Sequence, residues 1–281
     1  MISTSIESTF NGARGIKLFR RSWLPASPTP GRTIALVHGY AEHSGRYEWV
    51  GQQLSAAGYS VYAYDLRGHG RSEGERVRVR SFSQHLNDLA AFLRIVQAES
   101  GDEAPFLLGH SMGGGIGALY AATRAPQLRG LILSGPLVYQ KGGVPLRILA
   151  KVIGLVARVR PGLGLMGLKA ATVSRDAAVV AAYDTDPLVY RGKLPAISLV
   201  AMARAIAHIQ ERMEAITVPL LLLHGTADEL CDPEGSRQLY ATVSSTDKTL
   251  KLYEGLAHEV LNEPEKETVL ADLRAWLEAR S

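Results

Sequence analysis

Gly109-His110-Ser111-Met112-Gly113 is the stretch that most restricts what this chain can fold into. The apolar run Phe106-Leu107-Leu108 leads into it, and the small-residue run Gly114-Gly115-Ile116-Gly117-Ala118-Leu119 leads away from it. A Gly-x-Ser-x-Gly pentad set between a strand and a helix is a nucleophile elbow, a turn so tight that the serine hydroxyl stands above the sheet. Glycine is required two residues before and two after Ser111 because neighbouring backbone leaves no space for a Cβ. The pentad alone is a common pattern; its flanks supply the strand and the helix that the turn needs.

A serine hydroxyl becomes a nucleophile when a base accepts its proton and a third group orients that base. In an architecture of this kind an acid and then a histidine follow the serine in chain order. Leu220-Leu221-Leu222-Leu223 reads as a buried strand, and His224-Gly225-Thr226-Ala227-Asp228 runs on from it. Asp228 thus falls in the loop beyond a strand end. Thr249 to Tyr253 alternates as a strand does, and Glu254-Gly255-Leu256-Ala257-His258 forms the loop after it. Ser111, Asp228 and His258 follow three strand candidates in the required order.

Each assignment has competitors. Glu229 and Asp232 share the Asp228 loop, although Asp232, directly before Pro233, reads better as the cap of the next helix. Of the eight histidines, His38 and His224 precede glycines at strand ends and are expected to pack or bond locally. His69 lies in the turn Arg67 to Ser72, His110 in the elbow, and His85 and His208 on helical stretches. His43 is near the mouth of the site but precedes the serine. His258 is the candidate base. For the oxyanion of a tetrahedral intermediate, the expected donors are two backbone amides: Met112, just after the nucleophile, and Tyr40, in the loop His38-Gly39-Tyr40-Ala41 after the strand Thr33 to Val37.

The remaining chain alternates strands and helices, which implies an α/β fold with a mostly parallel sheet and helices on both faces. Phe10 to Trp23, with Asn11-Gly12 as turn, suggests an opening hairpin. Tyr59 to Tyr64 and Leu131-Ile132-Leu133 are further strands. Arg46 to Ala57, Phe82 to Val96 and Glu263 to Glu278 have helical spacing. At 281 residues one large domain is expected.

These residues resemble the monoacylglycerol lipases, a branch of the serine α/β-hydrolases that also includes proteins labelled lysophospholipases. The matching stretches are His38-Gly39 with Glu42-His43-Ser44-Gly45-Arg46-Tyr47, Asp65 with Arg67 to Ser72, and Gly109 to Gly114. Tyr183 with Asp186-Pro187-Leu188, His224 to Asp228, and Tyr253-Glu254-Gly255 leading to His258 complete them. The likeness runs from about residue 10 to the C-terminus. The family often has glycine where Ala41 stands, a departure that bears on the oxyanion loop rather than on the triad. The resemblance implies an α/β-hydrolase fold, an eight-stranded sheet with an inserted helical cap. The hydrolase core would comprise residues 1–136 and 193–281, and the cap residues 137–192.

The strand–helix rhythm does break after Leu137. Val144 to Arg158 is apolar and punctuated by cations, and no acidic residue occurs between Leu137 and Ser174, where Lys141, Arg147, Lys151, Arg158, Arg160 and Lys169 do. Such a segment reads either as a lid that touches an anionic lipid surface or as a roof over the acyl pocket with a solvated basic face. Its interrupting cations and Pro161 argue against a transmembrane span. The start Met1 to Glu7 lacks the features of a secretion signal, and the lone cysteine, Cys231, suits a reducing compartment. The expected location is cytoplasmic, with peripheral membrane contact. The net charge of +4 suits anionic surfaces; no nucleic-acid motif, metal-ligand spacing or cofactor requirement is evident.

The resemblance implies hydrolysis of a monoacylglycerol or similar lipid ester to glycerol and fatty acid through an acyl-enzyme. Glu42 and Arg46 are candidates to contact glycerol hydroxyls, or else to pair with each other or with backbone and brace the loop. A broader carboxylesterase or a lysophospholipase would use the same triad, as would an acyltransferase or perhydrolase. A non-catalytic ligand receptor of the same fold is the alternative from another class.

Overall fold

The computed structural model describes residues 5–139 and 144–281, with side chains throughout except at 144–150. The first four residues of the N-terminal reading, and the side chains of the cap cations Lys141 and Arg147, lie outside the described residues. The strands are β1 (Ile6–Asn11), β2 (Lys17–Trp23), β3 (Thr33–Val37), β4 (Ser60–Tyr64), β5 (Phe106–His110), β6 (Gly130–Ser134), β7 (Gly164–Gly167), β8 (Lys193–Pro195), β9 (Leu220–Gly225) and β10 (Lys248–Tyr253). The helices are α1 (Glu48–Ala56), α2 (Phe82–Ser100), α3 (Met112–Arg124), α4 (Val144–Val159), α5 (Ala177–Thr185), α6 (Ala196–Arg212), α7 (Glu234–Thr242) and α8 (Lys266–Glu278).

Eight strands form one sheet in the order β1-β2-β4-β3-β5-β6-β9-β10. β2 runs antiparallel to β1 and β4, and every other pairing is parallel. The central strands are continuous apolar runs because both of their faces are covered. Side chains alternate across a strand: Ala35, Val37, Leu107, Leu131, Leu133, Leu220 and Leu222 pack with α2, α3, α6 and α7. Their neighbours Ile34, Leu36, Phe106, Leu108, Ile132, Leu221 and Leu223 pack with α1 and α8 on the opposite face. Each fully buried leucine contributes roughly 2 kcal/mol. This is the α/β-hydrolase architecture expected from the sequence.

Element boundaries moved where local chemistry competes with helical spacing. Ser44 to Tyr47 is a 3-10 turn before α1, capped by His43, whose ring accepts from the Gly45 amide. α8 starts at Lys266 rather than Glu263: Glu263 precedes Pro264, which disfavours helical backbone there, and its buried carboxylate instead receives the Arg175 amide and guanidinium. The opening hairpin pairs from Ile6 to Asn11 against Lys17 to Ser22, so its loop is longer than a two-residue turn.

Between β6 and β9 the chain carries α4, the two-stranded sheet β7–β8, α5 and α6. Parallel pairing brings the loops after β3, β5, β6, β9 and β10 to one edge of the main sheet, where ligand sites of open α/β sheets form. Close packing fixes two of these loops together. A Cβ on Gly113 would lie 2.2 Å from the Val37 carbonyl oxygen and 2.5 Å from that of His38. Backbone cannot yield as a flexible side chain does, so Gly113→Ala should lower the melting temperature by roughly 5 °C or more. Calorimetry checks this; an unchanged melting temperature means that the loop after β3 is not pinned by the elbow.

Candidate active site

Ser111 links β5 to α3 at φ 53° and ψ −117°, a backbone conformation that costs on the order of 1–3 kcal/mol for a residue with a side chain. Its surroundings over-determine it. The Ser111 amide donates to the Ser134 carbonyl at 3.0 Å, and the Ser111 carbonyl accepts from Gly115 at 3.0 Å and Leu137 at 2.9 Å. A Cβ on Gly109 would sit 2.5 Å from the Gly113 oxygen, so both glycines of the pentad are required by contact.

The loop after β3 passes directly over the nucleophile. A Cβ on Gly39 would lie 3.0 Å from the Ser111 Cβ. The amides of Tyr40 and Met112 have no acceptor among the described residues. Met112 is also the first residue of α3, where an unpaired amide and the helix dipole both favour negative charge. Ala41, where the resembling family often has glycine, adopts φ 68° while fully buried. Left-handed backbone costs an alanine about 1–2 kcal/mol. Its carbonyl is tied to the Tyr190 amide at 2.8 Å, which anchors the loop to the segment after α5.

Asp228 and His258 meet under this loop. His258 Nδ1 donates to Asp228 Oδ2 at 2.7 Å, and Asp228 Oδ1 accepts from the amides of Leu230 at 2.8 Å and Cys231 at 2.9 Å. Nε2 of His258 is thereby left as the basic nitrogen. His258 and Ser111 line the same cavity, and the Ser111 hydroxyl lies beside the Cys231 thiol. Among the described residues His258 bonds Asp228 but makes no hydrogen bond to the Ser111 hydroxyl; without substrate such catalytic bonds are often long or poorly aligned. Of the competitors, Asp232 accepts from the Glu234 amide at the start of α7, and Glu229 lies on the cavity wall but makes no hydrogen bond to His258. His38 donates to the Gly39 carbonyl while accepting from Leu66, and His43 faces Asp186.

Glu42 and Arg46 belong to a buried ionic cluster. Glu42 Oε1 accepts from the Gly39 amide at 2.6 Å and the Tyr47 hydroxyl at 2.8 Å. Its Oε2 accepts from Arg46 at 2.9 Å. Arg46 also bonds both oxygens of Glu259, Nη2 at 2.7 Å, and lies over the Tyr183 ring. Two carboxylates thus share one guanidinium. The sequence reading passed over Glu259 and gave Tyr183, part of a family-like stretch, no role in the site. A carboxylate directly after His258 and a tyrosine three residues before Asp186-Pro187 were the available signals, but only the fold brings both to Arg46.

The cavity has a volume of about 360 Å³ and is largely apolar, with Leu137, Met166, Leu168, Leu194, Met202 and Ile206 on its walls. Glu42, Tyr183, Glu229, His258 and Glu259 are among its polar lining. Tyr183 is buried. Burial first, and then the nearby Glu42 charge, push its phenol up to about 12, so it is a neutral donor.

Burial alone would depress the basicity of His258. The Asp228 charge and hydrogen bond, followed by the charges of Glu259 and Glu42, overcome this and raise its pKa above 6.5. A histidine serves as a general base only in its neutral form, so a raised pKa would move the loss of activity upward in pH. The acid limb of kcat/KM should have its midpoint above 6.5, with rate falling about tenfold per pH unit below it. A midpoint at or below 6.5 in the pH–rate profile means that the surrounding carboxylates do not reach the ring.

With this geometry in place, the chain can be set beside known proteins. The profile of a hydrolase family described as serine aminopeptidase S33 matches residues 28–265. A monoacylglycerol lipase of Mycolicibacterium smegmatis is 43% identical over 277 residues, covering 98% of each chain. A monoglyceride lipase of Homo sapiens is 38% identical over 274 residues, 96% of this chain and 89% of that one. Among solved structures, a monoacylglycerol lipase of Paleococcus ferrophilus aligns with a TM-score of 0.82 at 32% identity, over 94% of this chain and 99% of the other.

Proposed function

The chain belongs to the serine aminopeptidase S33 family of α/β-hydrolases, and from that premise we propose that it hydrolyses monoacylglycerols to glycerol and fatty acid. His258 Nε2 takes the Ser111 proton as the hydroxyl oxygen attacks the ester carbonyl carbon. Asp228 holds the ring in the tautomer that leaves Nε2 basic. The oxyanion is received by the Tyr40 and Met112 amides, each such donor contributing about 3 kcal/mol in the transition state. His258 then passes its proton to the departing glycerol oxygen. Water gives a proton to the same nitrogen and attacks the acyl carbonyl; collapse frees the fatty acid and returns the proton to Ser111.

The observation that carries the substrate class is the charge on the polar part of the cavity. Glu42 and Glu259 border it, and the guanidinium beside them is shared by both. A phosphodiester headgroup would meet negative charge there, whereas an uncharged glycerol can accept from the Tyr183 hydroxyl, which makes no hydrogen bond among the described residues. The relatives at 43% and 38% identity are named monoacylglycerol and monoglyceride lipases rather than aminopeptidases, which supports the ester reading. In this reading Glu42 and Arg46 brace the oxyanion loop and set the charge of the alcohol site.

1-Oleoylglycerol should therefore be cleaved faster than lysophosphatidylcholine by about tenfold or more. Ser111→Ala should abolish both hydrolysis and labelling by a fluorophosphonate. Preference for p-nitrophenyl butyrate over the lipid would leave a general esterase, and equal rates on lysophosphatidylcholine would remove the charge argument.

The cap also supports contact with a membrane surface. Val152, Leu155 and Val159 on α4 are exposed, as are Leu163, Leu165 and Met166 beyond it, with exposed Lys151, Arg158, Arg160 and Lys169 among them. Met166 is half exposed yet lines the cavity, so the apolar surface continues into the substrate's entrance. Among the described residues no helix is long and apolar enough to cross a membrane. Peripheral binding is the form this surface suits. Leu155→Ser with Val159→Ser should weaken sedimentation with phosphatidylglycerol-containing vesicles while leaving hydrolysis of a water-soluble ester within about twofold; unchanged sedimentation argues for a mere roof.

A further inference from the structure

His224 is the next-to-last residue of the apolar strand β9, four residues before Asp228, and is fully buried. Its ring is held at both nitrogens. Nδ1 lies 2.7 Å from the hydroxyl oxygen of Ser236, a buried residue on α7. Nε2 lies 3.1 Å from Asp228 Oδ2 and 2.9 Å from the Cys231 carbonyl oxygen. A nitrogen facing a carboxylate and a carbonyl with no hydrogen of its own would be repelled by both. Nε2 therefore carries a hydrogen and forks it between them, and Nδ1 meets the Ser236 hydroxyl, which can turn to suit it.

The consequence falls on Asp228. Its Oδ1 is fixed by the backbone of its own loop, but Oδ2 has two donors: the His258 base and His224. Each donor draws on the same lone-pair density, so what His224 takes is withheld from the imidazolium of His258. The two rings also bracket the oxygen and hold the carboxylate plane in one orientation.

Resting on the triad reading above, we propose that His224 is a positioning residue of this active site. Through its Nε2 hydrogen it fixes the Asp228 carboxylate and shares the Oδ2 oxygen to which His258 also bonds. It touches no substrate and carries no proton in the reaction. The other charged or titratable groups facing His258 are Glu259 and Glu42 and the ring of His110, 4.6 Å away. Burial first, and then the His258 charge, press His110 down to about 4, so it stays neutral while His258 titrates.

The test follows fluorophosphonate labelling of Ser111 and hydrolysis of 1-oleoylglycerol against pH. It compares wild type with His224→Phe, His224→Gln and Ser236→Ala. His224→Phe should cut kcat by about tenfold or more, leave KM within about twofold and shift the acid limb to higher pH. His224→Gln, whose amide reaches the same oxygen with an N–H, should restore both rate and limb. Ser236→Ala removes only the hydroxyl that Nδ1 meets, and should shift the limb the same way by less. It keeps the test open should the phenylalanine variant fold poorly.

Rates and limbs unchanged in His224→Phe and Ser236→Ala overturn the proposal. So does a loss of kcat with an unmoved limb that glutamine fails to restore, since that is the mark of lost packing. Labelling is independent of the substrate, so a wrong lipid assignment leaves this test intact. Labelling that persists in Ser111→Ala instead breaks the triad reading, and this inference falls with it.

Discussion

Everything at the catalytic edge depends on one close backbone approach, Gly113 lying against the carbonyls of Val37 and His38. That contact brings the start of α3 up to the end of β3, so a loop from one strand is seated over a serine from another. The amides of Tyr40, in that loop, and of Met112, next to the serine, have no acceptor among the described residues. Strain is tolerated at two side-chain-bearing residues here, Ser111 and Ala41. Each is tied through its own carbonyl, to α3 and the segment after β6 in one case and to Tyr190 in the other. The cost on the order of a few kcal/mol is offset by a core in which both faces of the sheet are apolar and buried.

Buried charge is the second determinant. Asp228, Glu42 and Glu259 lie within the site, and each would be costly there if unpaired. Asp228 is answered by two backbone amides and two imidazoles, which together hold its carboxyl well below the usual range against the opposing effect of burial. Glu42 and Glu259 are answered by a single arginine. The excess negative charge raises the basicity of His258 and, in the proposed function, would also disfavour anionic headgroups beside it. Activity and selectivity would thus draw on the same electrostatic arrangement.

Much of this was legible in the chain. The central strands announced themselves as unbroken runs such as Leu220 to Leu223, because a strand covered on both faces has no polar side to reveal. The elbow was legible because close backbone contacts leave glycine no substitutes. Chain order alone put an acid and a histidine after Ser111. Less was visible where a residue's meaning lies in a partner far away. Glu263 looked like helix because its buried pairing with Arg175 crosses 88 positions. His224 looked like a strand-end histidine with local bonds, and its bonds are local in sequence, yet one of them ends on the acid opposite His258.

The amino-acid sequence by itself determined the α/β class, the sheet-forming runs, the turn that presents Ser111 and the set of residues able to act with it. It could do so because those features follow from local sterics and from side-chain periodicity. Only the tertiary structure decided which carboxylates surround His258, that Arg46 is shared between Glu42 and Glu259, that Tyr183 enters the cavity, and that His224 and Ser236 stand behind Asp228. Hydrogen bonds and charges act over a few ångströms whatever the separation along the chain, and that proximity exists only once the strands have been laid side by side.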